Sequence, residues 1–581
     1  MPERSAVASS PSATAASRIH PAIGEGTTGA DAVAEILRRE GVEVLFCYPV
    51  NPIIEAAARI GIRPIVVRQE RVGIHMADAY SRVSSGEKIG VFAMQHGPGT
   101  ENAFGGVAQA FSESAPVIVI PAGYDSDAAF TPPNFNAYLN FQHVTKSTEY
   151  VTRVESVPAA MRRAFTQVRN GRPGPVMVEL PRDVLAEHLP HDASYEPVPI
   201  ARAGPDPSAV DEVAEVLLAA DRPVIYAGQG VHYAKAWSEL RELAELLEAP
   251  VTTSLQGKSA FPENHPLSLG SGGRAHPRPV ADFISRCDVL FGIGCSFTAT
   301  LFGLTIPGGK TVIHSTLDPA DLNKDLEVSH ALVGDARLTL VALNEALRDR
   351  LAGKARGRSA AVAAEIAAAK RSWLADWRGK LDDDRTPLNP YRVIRDLLAT
   401  VDVPNTIITH DAGSPRDQLS PFWECVEPLS YLGWGKTTQL GYGLGLALGA
   451  KVAAPDKLCV NVWGDAAIGF TGMDFETAVR ERIPIMSVLL NNFSMAIELP
   501  VMPVSTERYR STDISGNYAD MAIAFGGYGE RVTEAHQIIP AIERGVERTR
   551  RGTPVLLEFI TQQEIDFSIF PAAPDGHRPR P

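Results

Sequence analysis

The residues with the clearest chemistry stand near the C-terminus. Gly464-Asp465-Ala466 closes the apolar run Lys457 to Trp463, and a second apolar run, Ile485 to Leu490, leads into Asn491-Asn492. Asp465 and Asn492 are 27 residues apart, each just past the C-terminal end of an expected parallel strand, where open α/β sheets place their ligands. A carboxylate and an amide oxygen there suit Mg²⁺, which takes about six oxygen ligands at ~2.1 Å and commonly draws some from a bound phosphate. The pair therefore points to a metal-diphosphate site. Taken singly the signals are ordinary: Gly-Asp after a strand is commonly a turn or helix cap, and Asn-Asn is common loop chemistry.

Such a site needs sheets to hold it, and the chain has room for them. Its 581 residues correspond to roughly three to four domains. Hydrophobic residues make up 45%, yet no apolar run approaches the ~18 residues of a membrane span. The net charge of −13 argues against nucleic acid and anionic membranes as partners, and it requires an anionic cofactor to be neutralised locally, as a metal would do. Cys47, Cys287, Cys295, Cys425 and Cys459 are odd in number and scattered in apolar surroundings, which fits buried reduced thiols and a cytoplasmic location.

Residues 1–27, rich in Ser, Ala, Thr and Pro, read as a disordered tail without a signal-peptide core. Order is expected from Thr28, an N-cap with Asp31 three residues on. Alternating strand and helix patterns define a first domain over 28–190, and the Pro-rich stretch Glu196 to Pro207 a linker. A second βα series over 205–350 carries the glycine turns Gly228-Gln229-Gly230 and Gly292-Ile293-Gly294. An Ala-rich connecting helix is expected over 356–386, and a third domain over 390–570. The glycine-proline-strand ending at Arg551 to Ile560 echoes the one at Gly171 to Pro181, so the outer domains are candidates for one shared fold. The fold class read from this alternation is α/β.

Asp465, Asn492 and their spacing resemble the thiamine-diphosphate (ThDP) motif that begins Gly-Asp-Gly and ends Asn-Asn, with Ala466 at the third position. Further segments fall in the same order: Arg68-Gln69-Glu70 with His75 to Arg82, Gln95-His96-Gly97-Pro98-Gly99-Thr100-Glu101-Asn102, Pro250 to Gly270, and Gln439 to Gly449. Over nearly its whole length the chain resembles the acetolactate-synthase-like ThDP enzymes, the group that includes pyruvate oxidase and benzoylformate decarboxylase. The resemblance implies three doubly wound parallel-sheet domains: pyrimidine-binding, central and diphosphate-binding.

It also implies roles for particular residues. Asp465, the Asn492 side chain and the Ser494 carbonyl would hold Mg²⁺, with Gly464, Ala466 and Ala467 leaving room for a phosphate. Glu70 would be the buried carboxyl group that drives the cofactor's aminopyrimidine to its imino form; a lone Glu is otherwise a surface charge. Leu440 would be the apolar wedge that bends the cofactor, and the Thr438 carbonyl would accept from its amino group; any Leu in such a run is otherwise plain core. Asn102 belongs to the cofactor-side turn. In His410 to Arg416, Ser414 and Arg416 stand where relatives place phosphate contacts. Gln95 and His96 would donate to a substrate carbonyl or carboxylate, and Glu498 falls at a proton-relay position of the decarboxylases, although a helix-start Glu is the plainer reading.

The function this implies is a ThDP- and Mg²⁺-dependent carboligase: it adds the cofactor's ylid to a 2-oxo acid or ketone, removes CO₂ and couples the carbanion to a second carbonyl, working as a homodimer or homotetramer. The alternatives are a non-oxidative decarboxylase using Glu498, a flavin-linked oxidase, and a non-catalytic ThDP-binding regulator, which an intact Glu70 disfavours. FAD in the central domain stays open: Ile313 to Pro319 is similar to the family's strand end near the nucleotide, with His314 irregular.

Overall fold

The computed structural model describes residues 20–570, so residues 1–19 of the expected tail lie outside the described residues. Residues 20–27 are held against the first domain: Ile23 is buried and bridges Ala193, and Gly26 N–H donates to the Leu189 carbonyl. An apolar side chain in an otherwise small and polar segment is enough to anchor it. Thr28 caps the helix Gly29–Arg39 by accepting from Asp31 N–H.

Three six-stranded sheets follow, parallel at every pairing. The first contains β1 (Val44–Cys47), β2 (Arg63–Val66), β3 (Gly90–Met94), β4 (Val117–Gly123), β5 (Ser147–Tyr150) and β6 (Val176–Pro181), in the order β2-β1-β3-β4-β6-β5. The second contains β7 (Val224–Ala227), β8 (Val251–Ser254), β9 (Ser268–Gly272), β10 (Val289–Ile293), β11 (Thr311–Thr316) and β12 (His330–Val333), in the order β12-β11-β10-β7-β8-β9. The third contains β13 (Thr406–His410), β14 (Tyr431–Leu432), β15 (Leu458–Gly464), β16 (Met486–Asn491), β17 (Tyr528–Val532) and β18 (Val555–Ile560), in the order β14-β13-β15-β16-β18-β17. Strands β3, β4 and β6 are buried at every position, as parallel strands covered by helices on both faces must be.

Numbered within themselves, the outer sheets share one order, 2-1-3-4-6-5. The two glycine-proline endings lead into β6 and β18, which hold the same place in each. The central sheet has the dinucleotide-fold order 3-2-1-4-5-6, with its switch point between β7 and β10.

The Ser359–Leu381 helix joins the central and third domains; Trp373 and Trp377 anchor it against Phe422 and Tyr391. The outer domains meet along two helices, Glu70–Val83 and Tyr442–Ala453. A Cβ on Gly445 would stand 2.4 Å from the Cβ of His75, and one on Gly449 2.1 Å from the Met76 carbonyl oxygen. Two glycines one turn apart therefore let the backbones touch. At the same interface the Tyr442 hydroxyl donates to Asp78, and Arg82 donates to the Gly433 carbonyl at 2.6 Å.

Candidate active site

Asp465 follows β15 and opens the short helix Asp465–Thr471, while Asn492 follows β16, the next strand of the sheet. The Ser494 N–H donates both to Asp465 Oδ2 (3.0 Å) and to Asn492 Oδ1 (2.9 Å), so one amide gathers the two oxygens. Asp465 Oδ1 accepts from Ala466 N–H at 2.8 Å. Burial pushes the Asp465 carboxyl up to about 6, and what opposes that shift is backbone amides, with no cation among them. The Ser494 hydroxyl oxygen is buried without a partner. One carboxylate and one amide oxygen form an incomplete oxygen set, which fits a hard divalent cation that shares a phosphate; among the described residues no group of three or more His, Cys, Asp or Glu is placed to hold a metal ion by itself.

Around this corner, Ser414 opens the helix Ser414–Phe422, and the ring of Pro415 lies 3.7 Å from where a Gly464 Cβ would be. Ala466 is half-buried beside Asp465, whereas the Ala467 side chain turns into the core shared with Leu489 and Trp463. Arg416 is also turned inward: its guanidinium pairs with Asp417 at 2.9 Å and lies over Phe302 at 4.4 Å, a contact with the central domain in place of the expected phosphate contact. Leu440 is half-buried against the core that joins the outer domains. Its neighbours Thr437 and Gln439 bond to Gln109 and Gly105 of the Pro98–Ser112 helix.

The second cluster lies along the C-terminal edge of the first sheet. Glu70 opens its helix and is 3% exposed; desolvation raises its pKa, and Asn102 donates to Oε2 at 3.2 Å. Gly99 leaves the space between them clear, since a Cβ there would be 2.7 Å from Gln95 Cγ and 3.3 Å from Glu70 Oε1. His96 packs against Tyr124 at 4.5 Å with Nδ1 buried and unpartnered. Burial, aided by the charge of Arg182, lowers its pKa, so the ring is neutral at pH 7. Tyr124 escaped the sequence reading, because only the approach of β4 to the Gly97 turn reveals it: a Gly97 Cβ would sit 2.5 Å from its hydroxyl.

Glu498 stands apart on the turn Ala496–Glu498, half-buried. Among the described residues no hydrogen bond joins Glu70, Gln95, His96 or Asn102 to Asp465, Asn492 or Leu440; the domains connect through neighbours such as Arg68 N–H to Asp474 Oδ1 at 2.8 Å.

The central domain holds a cavity of about 260 Å³ at its switch point, bordered by Gly230, Gly294, Phe297 and Asp321 and reached by Arg172 and Lys436 from the outer domains. The Gly228–Gly230 turn feeds a single helical turn, Gly230–Tyr233, so the long helix dipole of a dinucleotide grip is not built here. His314 is a core histidine, with Nε2 on the Cys295 carbonyl at 2.9 Å.

Residues 27–132 match the description "Thiamine pyrophosphate enzyme, N-terminal TPP binding domain", residues 210–343 its central domain and residues 411–559 its C-terminal TPP binding domain. The chain is 30% identical to a probable acetolactate synthase large subunit of Methanocaldococcus jannaschii over 95% of this chain and 94% of that one. It is also 30% identical to the acetolactate synthase large subunit of Corynebacterium glutamicum, covering 97% and 91%. This chain belongs to the acetolactate-synthase-like ThDP enzymes. Isozyme 3 of the Escherichia coli acetolactate synthase large subunit is similar at 28% identity over 92% of this chain and 95% of its own. The three sheets are thus the three domains of a ThDP enzyme, and the two clusters lie in its N-terminal and C-terminal TPP-binding domains.

Proposed function

We propose that this ThDP enzyme is a Mg²⁺-dependent carboligase, which decarboxylates a 2-oxo acid and joins the acyl fragment to a second carbonyl compound. The observation that carries the reading is the convergence of Asp465 and Asn492 on the Ser494 amide, in a chain that also buries Glu70 at a helix start. Bound ThDP supplies a carbon nucleophile that attacks a carbonyl and accepts the electron pair left by CO₂. Asp465, Asn492 and the Ser494 carbonyl hold Mg²⁺ in this reading. Ser414, Gly464 and the Ala466 backbone would receive the diphosphate, Leu440 would pack against the cofactor, and the Thr438 carbonyl would accept from its amino group. Glu70, whose pKa burial raises, would exchange a proton with the pyrimidine. Gln95 and neutral His96 face the substrate side and donate to its carbonyl or carboxylate.

The working unit in this reading is a homodimer or a pair of dimers, with Glu70 of one subunit completing the Asp465 site of another. Supporting this, Phe470, Met473, Val501, Val504 and Tyr509 are exposed on the segments that follow Asp465 and Asn492 in the chain, and Val50 and Phe130 on the first domain, more apolar surface than a lone chain gains from showing. All five cysteines are free and buried, in keeping with a cytoplasmic location. No helix among the described residues is long and apolar enough to cross a membrane.

Two alternatives keep a specific observation each. Glu498, half-buried on its turn four residues after Ser494, would serve a decarboxylase that protonates the acyl fragment. The cavity at the central switch point would serve a flavin-linked oxidase, whereas decarboxylation with ligation is redox-neutral. Incubation with a panel of 2-oxo acids, scored by mass spectrometry, separates them: acyloin or acetohydroxy-acid products support ligation, and aldehyde alone refutes it. Absorbance of the purified protein between about 350 and 450 nm reports a bound flavin.

A further inference from the structure

The segment that carries Leu440 is pinned at its next residue from two directions. Gly441 has φ +87°, and a Cβ there would stand 2.7 Å from the Thr471 side chain; the backbone conformation and the crowding both call for glycine. Its N–H donates to Asp411 Oδ1 at 2.9 Å, and its carbonyl accepts from the Thr471 hydroxyl at 2.8 Å. Asp411 is fully buried. Its Oδ1 also accepts from Ala412 N–H at 2.8 Å, and its Oδ2 from Gly443 N–H at 2.9 Å.

A carboxylate buried away from any cation is costly unless backbone donors surround it, and here the donors come from two separate segments. Asp411 leads the loop that carries Ser414, while Gly441 and Gly443 flank the start of the Tyr442–Ala453 helix. Thr471 ends the helix that Asp465 begins. Gly441 is therefore the point where the diphosphate loop, the wedge segment and the metal-side helix are fastened together.

We infer that Asp411 and Thr471 clamp Gly441 and thereby set the position of Leu440 and of the Thr438 carbonyl, which makes both of them positioning residues for the reaction. The inference rests on the ThDP reading of the site. Neither side chain touches the reacting atoms. Their effect passes through the wedge, where a displacement of ~1 Å can cost on the order of 10²-fold in rate.

The test uses the full chain with ThDP and Mg²⁺. Asp411→Asn keeps the shape but removes the charge that strengthens the Oδ1 bond to the Gly441 N–H, and it turns an N–H₂ donor toward the Gly443 N–H two residues on. Thr471→Val replaces the hydroxyl with a methyl group of similar size, and Thr471→Ser keeps the hydroxyl. Asp411→Asn and Thr471→Val are each expected to bind ThDP within about threefold of wild type, to leave KM for the 2-oxo acid unchanged, and to slow exchange of the bound cofactor's C2 proton for deuterium by about tenfold, with kcat falling in parallel. Thr471→Ser is expected to exchange as wild type does. Combining the two slow variants should cost less than the product of their separate effects, because they act on one residue. Wild-type exchange in both slow variants, or Thr471→Ser behaving as Thr471→Val, overturns the clamp alone. A wild-type chain that binds no ThDP overturns the cofactor assignment and the clamp with it.

Discussion

The Gly445 backbone lies directly against the side chain of His75: a Cβ on the glycine would stand 2.4 Å from the Cβ of the histidine. The first residue of the His75 helix is Glu70, and the helix of Gly445 begins two residues after Leu440. This contact therefore fixes the distance between the two TPP-binding domains of one chain. Gly445→Ala should overpack it and destabilise the protein by about 1–3 kcal/mol. A lowered Tm is the expected result, and an unchanged one would show that the helices can separate at little cost.

Asp465→Ala should abolish ThDP retention and activity together, because the diphosphate loses the carboxylate that anchors its counter-ion in an acidic protein. Dialysis followed by cofactor assay checks retention. Full activity of the wild type after exhaustive chelation would contradict the metal assignment.

Glu70→Gln preserves shape and hydrogen-bonding capacity but cannot exchange an acidic proton. Cofactor binding should persist while turnover falls by about 10²–10⁴. Deuterium exchange at the thiazolium of the bound cofactor reads the step directly, and a wild-type rate in the variant would misplace the activating carboxylate.

Asp411 supplies a pH signature. Burial pushes its carboxyl up to about 7, above the ~4 of an unfolded Asp, so the folded chain binds this proton more tightly than the unfolded one. Its contribution to stability is complete below about pH 4 and is lost as pH rises through about 7. Between pH 5 and 8 the Tm of the wild type should therefore decline more steeply than that of Asp411→Asn. Parallel declines would show that the carboxylate titrates alike in both states.

Light scattering on the active enzyme should give twice or four times the 62.4 kDa chain mass. An active monomer would mean that the exposed apolar residues Val501, Val504 and Tyr509 serve something other than a subunit contact.

What the sequence determined by itself was the architecture and the chemistry that depends on residue type at strand ends. Apolar runs closing on Asp465 and Asn492 announce parallel strands with oxygen ligands at their tips, and the repeated glycine-proline endings made the outer domains candidates for one fold, whose shared strand order came from the structure. Residues whose roles come from long-range approach were not legible. Nothing local marks Thr471 as a partner for Gly441 or Tyr124 as a neighbour of His96, and a polar Asp411 at the end of an apolar strand is ordinary until Gly441 and Gly443 arrive beside it. Arg416 and Ala467 show the converse, since both lie in the expected motifs but point inward once the helices that carry them are oriented. Those orientations follow from burying one face of each helix against a sheet or another domain, and only the folded chain decides which face that is.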